Sequence, residues 1–207
     1  PMLGHGRIYD LSEDFITCDS FDIPKHFYVI NAVDFGWDHP QSHIQLAWDR
    51  DADIFYVTRA LKMRQTSPNE AWGAAKQWAK GVPTSWPLDG LQTEKGSGKQ
   101  QKEYYEEAGF EMLYERATWE DGSNGVEAGL YEIRDLMRKG KFKIFSGLRD
   151  VFDEILQYHR DEKGKIVKVR DDLLDAIRYA YMMKRESIPY GDIIDGKPQD
   201  IDFNSEW

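Results

Sequence analysis

Apolar and β-branched residues run together over 27–35 (FYVINAVDF), dense enough to predict a strand buried on both faces. Residues 44–48 and 54–60 read as two more strands, with Asp49-Arg50-Asp51-Ala52 as the turn between them. The period then changes. Ser67-Pro68-Asn69-Glu70 has the signature of a helix start, with Ser as N-cap, Pro at the first position and Glu at the third. That helix runs to about Lys80, where Gly81 and Pro83 stop it. A short strand over 84–88 follows, ending in Asp89-Gly90, then a polar loop over 91–98. Helices are predicted over 99–108, 126–139, 148–158 and 171–184, strands over 110–114 and 143–145, and an extended run over 166–169. Residues 1–25 show no sustained period and read as an arm or linker, and 186–207 as an acidic, poorly ordered tail. The body over 26–185 therefore predicts an α/β fold. Its sheet is mixed, an antiparallel meander followed by parallel strands, with helices on both faces.

Composition narrows the class. At 207 residues with 41% hydrophobic side chains, the chain is long and apolar enough for one folded domain. A single cysteine, Cys18, excludes an internal disulfide and a multi-cysteine zinc site and points to a reducing compartment. No apolar run is long enough to span a bilayer, so a soluble intracellular protein is expected, with no membrane partner. The net charge of -10 argues at first sight against nucleic acid. Its distribution removes that objection: residues 1–25 carry -3, 186–207 carry -5, and the middle only -2. Within that middle, 134–170 carries +5.

The candidate chemistry is carboxylate chemistry. No Gly-x-Ser-x-Gly elbow is present, and Cys18 lies in acidic surroundings that blunt a thiol. The loop over 94–100 (EKGSGKQ) imitates a phosphate-binding loop but has Thr93 and Gln100 where Gly and Ser/Thr are required. Asp34 ends the most apolar strand, where an acid has to be solvated, paired or bound to a cation. Asp89 repeats that position at a second strand end, although Asp-Gly is equally a turn former. Asp171, Asp172 and Asp175 lie three and four apart on the last helix. They read either as acids on a solvated face favoured by the helix dipole or as a cation site. Carboxylates without a His/Cys cluster suit Mg²⁺ or Mn²⁺ rather than zinc. Two such ions about 3.5–4 Å apart can stabilise the attacking and leaving oxygens of a phosphodiester.

The VDFGW strand end, the Pro-Leu-Asp-Gly of the second strand and the helical DDLLDAIRYA together resemble the C-terminal nuclease domain of tailed-bacteriophage large terminase subunits. The resemblance covers about residues 26–185 and implies a ribonuclease H-like fold. It also implies a metal-dependent endonuclease that cuts concatemeric double-stranded viral DNA during packaging, in the host cytoplasm. By that resemblance Asp34, Asp89 and Asp175 form a catalytic triad holding two Mg²⁺ or Mn²⁺ ions, joined by Asp172, with Asp171 and Asp38 auxiliary. It implies as partners the portal protein or procapsid, the small terminase subunit and an N-terminal packaging ATPase. DNA contact falls to Lys163, Lys165, Lys168 and Arg170, just before the acidic helix, and to Lys99 in the polar loop. Arg134, Arg138, Lys139, Lys141 and Lys143 form another basic group, and the aromatic residues Trp72, Trp78, Tyr104 and Tyr105 read as packing. Two rival readings stand beside this one. The first is another ribonuclease H-like enzyme, a junction resolvase or integrase-like strand transferase. The second is a non-catalytic acidic module that docks on portal.

Overall fold

The computed structural model describes residues 6–195. Its first elements are a single helical turn, α1 (Glu13–Ile16), and a two-residue strand, β1 (Thr17–Cys18). The predicted meander follows as β2 (Tyr28–Asp34), β3 (Gln41–Asp49) and β4 (Ile54–Met63), antiparallel throughout. Strand β3 starts three residues earlier than its apolar run because Gln41, Ser42 and His43 are buried. Gln41 bonds the Thr66 hydroxyl and carbonyl, and His43 and the Tyr105 hydroxyl bond Gln41 in turn, so these polar groups are paired inside. Helix α2 (Pro68–Ala79) carries the predicted capping box between Ser67 and Glu70.

The next three strands run parallel to their neighbours. β5 (Pro83–Ser85) lies beside β2 and is shorter than its apolar run, because Pro87 has no N–H to give a ladder. A turn of 3-10 helix at Leu88–Leu91 replaces its end. Then come α3 (Gln101–Ala108), β6 (Glu111–Met112), α4 (Val126–Arg138), β7 (Phe142–Phe145), α5 (Arg149–Gln157) and α6 (Asp172–Met182). The extended run at 166–169 forms only an isolated bridge, between Arg160 and Ile166. The sheet order is β1-β7-β4-β3-β2-β5-β6, the mixed sheet that the element order predicts. Along β2, Ile30 and Ala32 face a core shared with α4, α5 and α6, while Val33 faces α2 and α3.

Two expectations change. The presumed arm is, from Gly6 onward, part of the body. Ile8, Tyr9 and Ile16 are buried in the main core, and β1 pairs with β7 at the sheet edge. Its elements are two and four residues long, too short for periodicity to reveal. Residues 186–195 of the presumed tail are part of the fold. β8 (Ile188–Pro189) pairs with the start of β2, and α7 (Tyr190–Ile194) follows, held by Lys25 to Asp195 at 2.6 Å. Residues 196–207 of the expected tail lie outside the described residues.

Candidate functional site

Asp34 stands at the end of β2, next in the alternation that sends Ile30 and Ala32 toward α6. Its partner across the ladder is Ser42, whose hydroxyl donates to the Asp172 carbonyl at 2.6 Å. The start of α6 is thereby tied over the end of the meander. Asp34 is crowded there: burial lifts its pKa well above the usual carboxylate range, and the charges of Asp175, Asp172 and Asp171 add to the effect. Burial and the Asp175 charge likewise raise Asp171, one of whose carboxylate oxygens, Oδ2, is buried without a hydrogen-bond partner.

The solvated-face reading of α6 is therefore wrong, since the helix is enclosed nearly all round and Asp175 is only 9% exposed. Its charge is met by the buried Arg178, which donates to Asp175 Oδ1 at 2.8 Å. Arg178 fits only because α4 presents Gly129. A Cβ at that position would stand 2.8 Å from Arg178 Cδ and 3.1 Å from the Trp119 ring. Asp172 is paired with Lys62 of β4 at 2.7 Å. Lys62 also meets Glu154 of α5 at 2.5 Å, and the second oxygen of Glu154 accepts the amides of Leu173 and Leu174 at 2.9 and 3.1 Å. Glu154 thus closes the first turn of α6 from a neighbouring helix, a turn whose N–H groups have no partner within the helix. Burial lifts its pKa to about 7 against the pull of Lys62.

Sequence reasoning missed Lys62, Glu154 and Arg178. Glu154 was detectable: with Val151, Ile155 and Tyr158 it occupies the i, i+3, i+4, i+7 stripe that should be apolar. Lys62 carried no such mark, because its partners come from α5 and α6.

The other expected site residues are exposed or paired elsewhere. Asp89 is exposed in the 3-10 turn after β5, and the acids acting on Asp34 are Asp175, Asp172 and Asp171. Topology alone places Asp89 nearby, since β5 runs parallel to β2 and both end at the same edge. Asp38 is exposed in the turn beyond β2. Lys163, Lys165, Lys168 and Arg170 are exposed and make no ion pair among the described residues. The first two flank Gly164 in a hairpin turn closed between Asp161 and Lys165. Arg170 has φ 55°, a left-handed backbone that turns the chain into α6. Lys99 is paired with Glu107 at 2.5 Å and lines a cleft of about 400 Å³ with Trp37 and Tyr104. In the other basic group, Arg138, Lys139 and Lys141 are paired with Asp10, Asp135 and Asp53. Tyr105 is buried and Trp72 packs edge-on against Phe110, as expected of packing aromatics.

Four carboxylates, one with a buried unpartnered oxygen, make a donor set that fits a hard divalent cation. Among the described residues, a separate group of possible ligands gathers at the opposite end of β2. The donor atoms of His26, Asp49 and Asp51 lie within 4.8 Å of one another. No described helix is long and apolar enough to cross a membrane.

Comparisons with known proteins place the sequence and the fold. A family model for the terminase RNaseH-like domain matches residues 31–184. The terminase large subunit of Salmonella phage P22 is 55% identical over 185 residues, 89% of this chain and 37% of that relative. The chain thus spans little more than a third of that relative's length. The solved nuclease domain of the P22 large terminase superposes with a TM-score of 0.87 at 53% identity, covering 93% of this chain and 99% of that one. The large terminase nuclease domain of bacteriophage SPP1, solved with bound Mn, shares the fold at a TM-score of 0.51 and 14% identity. That match covers 75% of this chain and 86% of the other.

Proposed function

The chain belongs to the terminase RNaseH-like domain family, and on that premise we propose that it is a divalent-metal-dependent DNA endonuclease. Its substrate in this reading is concatemeric double-stranded viral DNA, cut during genome packaging by two-metal-ion hydrolysis in the host cytoplasm. The observation that carries the proposal is the crowding of Asp34 by Asp175, Asp172 and Asp171 in a partly dehydrated site. Four acids in such a space repel one another, and divalent ions relieve that repulsion. The SPP1 domain, solved with Mn, gives the fold a precedent for such an ion.

Asp34, Asp175 and Asp172 would hold Mg²⁺ or Mn²⁺, with Asp171 auxiliary. Asp89 enters on topology, as the acid ending the strand beside β2, and Asp38 as an outer contact. A divalent ion bound there supplies Lewis-acid stabilisation of the charge that builds on the scissile phosphate. The protein's own share is positional. Arg178 fixes Asp175, Lys62 fixes Asp172, and Glu154 fixes the first turn of the helix that carries both. Lys163, Lys165, Lys168 and Arg170 lie just before that turn, where cations without an ion pair among the described residues are available to phosphates. The ATPase domain, the small subunit and the portal complete the proposal as partners that decide where the cut falls.

A plasmid assay tests it. Supercoiled DNA with Mn²⁺ or Mg²⁺ should be nicked and then linearised by the wild type and left intact by Asp34→Asn and Asp175→Asn. Intact plasmid with every protein would favour a docking module. Preference for four-way junctions would favour a resolvase.

A further inference from the structure

A small pocket of about 230 Å³ is walled by Arg7, Arg134, Arg160, Glu127 and the Tyr131 ring. Three chain segments supply its arginines. Arg7 comes from the N-terminal segment, Arg134 from α4 and Arg160 from the hairpin before α6. The wall is built by close backbone approach: the Arg160 amide donates to the Gly6 carbonyl at 2.7 Å. A Cβ on Gly6, whose φ is +98°, would stand 2.9 Å from the Arg160 carbonyl oxygen.

The charges of the pocket do not cancel. Glu127 is its one acidic lining residue, and both its oxygens are taken by Arg160 at 2.9 and 2.6 Å. Arg7 and Arg134, both half-buried, make no ion pair among the described residues. Two partly dehydrated guanidinium groups facing one cavity without an anion are unfavourable as they stand, and their planar forks match phosphate oxygens. We propose that this pocket binds one backbone phosphate of DNA and holds the duplex at a distance from the cutting site.

The choice of DNA rests on the nuclease reading above and on continuity. The hairpin that supplies Arg160 carries Lys163 and Lys165 at its turn, and leads through Lys168 and Arg170 into α6. Tyr9 stacks on Tyr158 with centroids 6.1 Å apart, and its hydroxyl feels the charges of Arg134, Arg178 and Asp175 alike. Cations thus recur along the chain from Arg160 through the hairpin turn to the start of α6. A phosphate contact in the pocket would set register without reading sequence.

The test is binding of a short fluorescent duplex by the full chain in EDTA, across about 50–200 mM salt. Arg7→Gln and Arg134→Gln should each weaken binding by about tenfold or more, as loss of a charged hydrogen bond does. Each should also lower the salt slope, by no more than the value of about one that a single phosphate contributes. If one phosphate is shared, the double variant also loses about one, not two. Glu127→Gln should tighten binding, and it keeps the proposal testable if an arginine variant fails to fold. Unchanged affinity and slope in folded variants would overturn it. So would stabilisation by inorganic phosphate that depends on Arg134 while DNA binding stays unchanged, since the anion would then come from another source. Nicking with Mn²⁺ at saturating protein separates the two readings. Variants that bind DNA normally and nick it sink the pocket, whereas a wild type that never nicks sinks the nuclease and leaves the salt slopes to decide the pocket.

Discussion

The two ends of β2 each carry a group of acids, and they differ in everything but charge. At its start, His26, Asp49 and Asp51 bring three donor atoms within 4.8 Å, yet the group is largely exposed. Asp49 already accepts the amides of Asp51 and Ala52 at 3.1 and 3.2 Å, so its closeness to Asp51 is that of a turn. At its finish, the acids of β2 and α6 are partly dehydrated, mutually repelling and braced by the buried Arg178 and by Lys62. Nearness of carboxylates is common on surfaces. Repulsion held in place by a folded core is the rarer feature, and strongly perturbed titration with specific charge partners is what marks functional sites.

Substitution breaks the comparison most directly. Asp175→Asn should lower Mn²⁺-dependent cleavage by more than about 100-fold, beyond what loss of a supporting residue costs. The double substitution Asp49→Asn, Asp51→Asn should leave it within about twofold, as surface changes do. Plasmid-nicking rates under one set of conditions read both. Equal losses would make the exposed group the metal site.

A smaller effect is expected from a residue that touches no carboxylate. Gly129→Ala puts a methyl against the Arg178 stem and Trp119. It should cost about 1–3 kcal/mol in urea unfolding, as overpacking does. Because Arg178 holds Asp175, cleavage by the folded fraction should fall about tenfold as well. A stability loss without an activity loss would show that Arg178 does not position Asp175.

The smallest effect is one of pH. Glu154 titrates at about 7 in the native state and near 4.5 when unfolded. Between those values the native state binds the extra proton, so stability falls as pH rises through the window. Glu154→Gln should flatten that fall, by on the order of 1–3 kcal/mol between about pH 5 and pH 7. Denaturant midpoints at the two pH values measure it. An unaltered slope would assign the pH dependence to other acids, Asp34 first among them.

Periodicity made the meander, the capped helix α2 and the α3–α6 series legible, because each buries a regular stripe long enough to repeat. It failed where elements are short, as in β1 and β8, and where polar residues are buried but satisfied, as in Gln41-Ser42-His43. Asp34, Asp171, Asp172 and Asp175 could be named from the chain, because acids beside apolar residues stand out. Their bracing could not, apart from Glu154 breaking its own apolar stripe.

By itself, then, the sequence determined the order of the longer elements, the mixed sheet and which acids are anomalous, since these follow from side-chain type and local period. Tertiary structure alone decided that α6 lies enclosed over the end of β2 and that Asp89 stays exposed beside it. It also decided that Gly129 leaves room for Arg178, and that Arg7, Arg134 and Arg160 share one pocket. Those facts depend on dehydration and on contacts between segments far apart in the chain, and neither quantity is carried by any local pattern of residues.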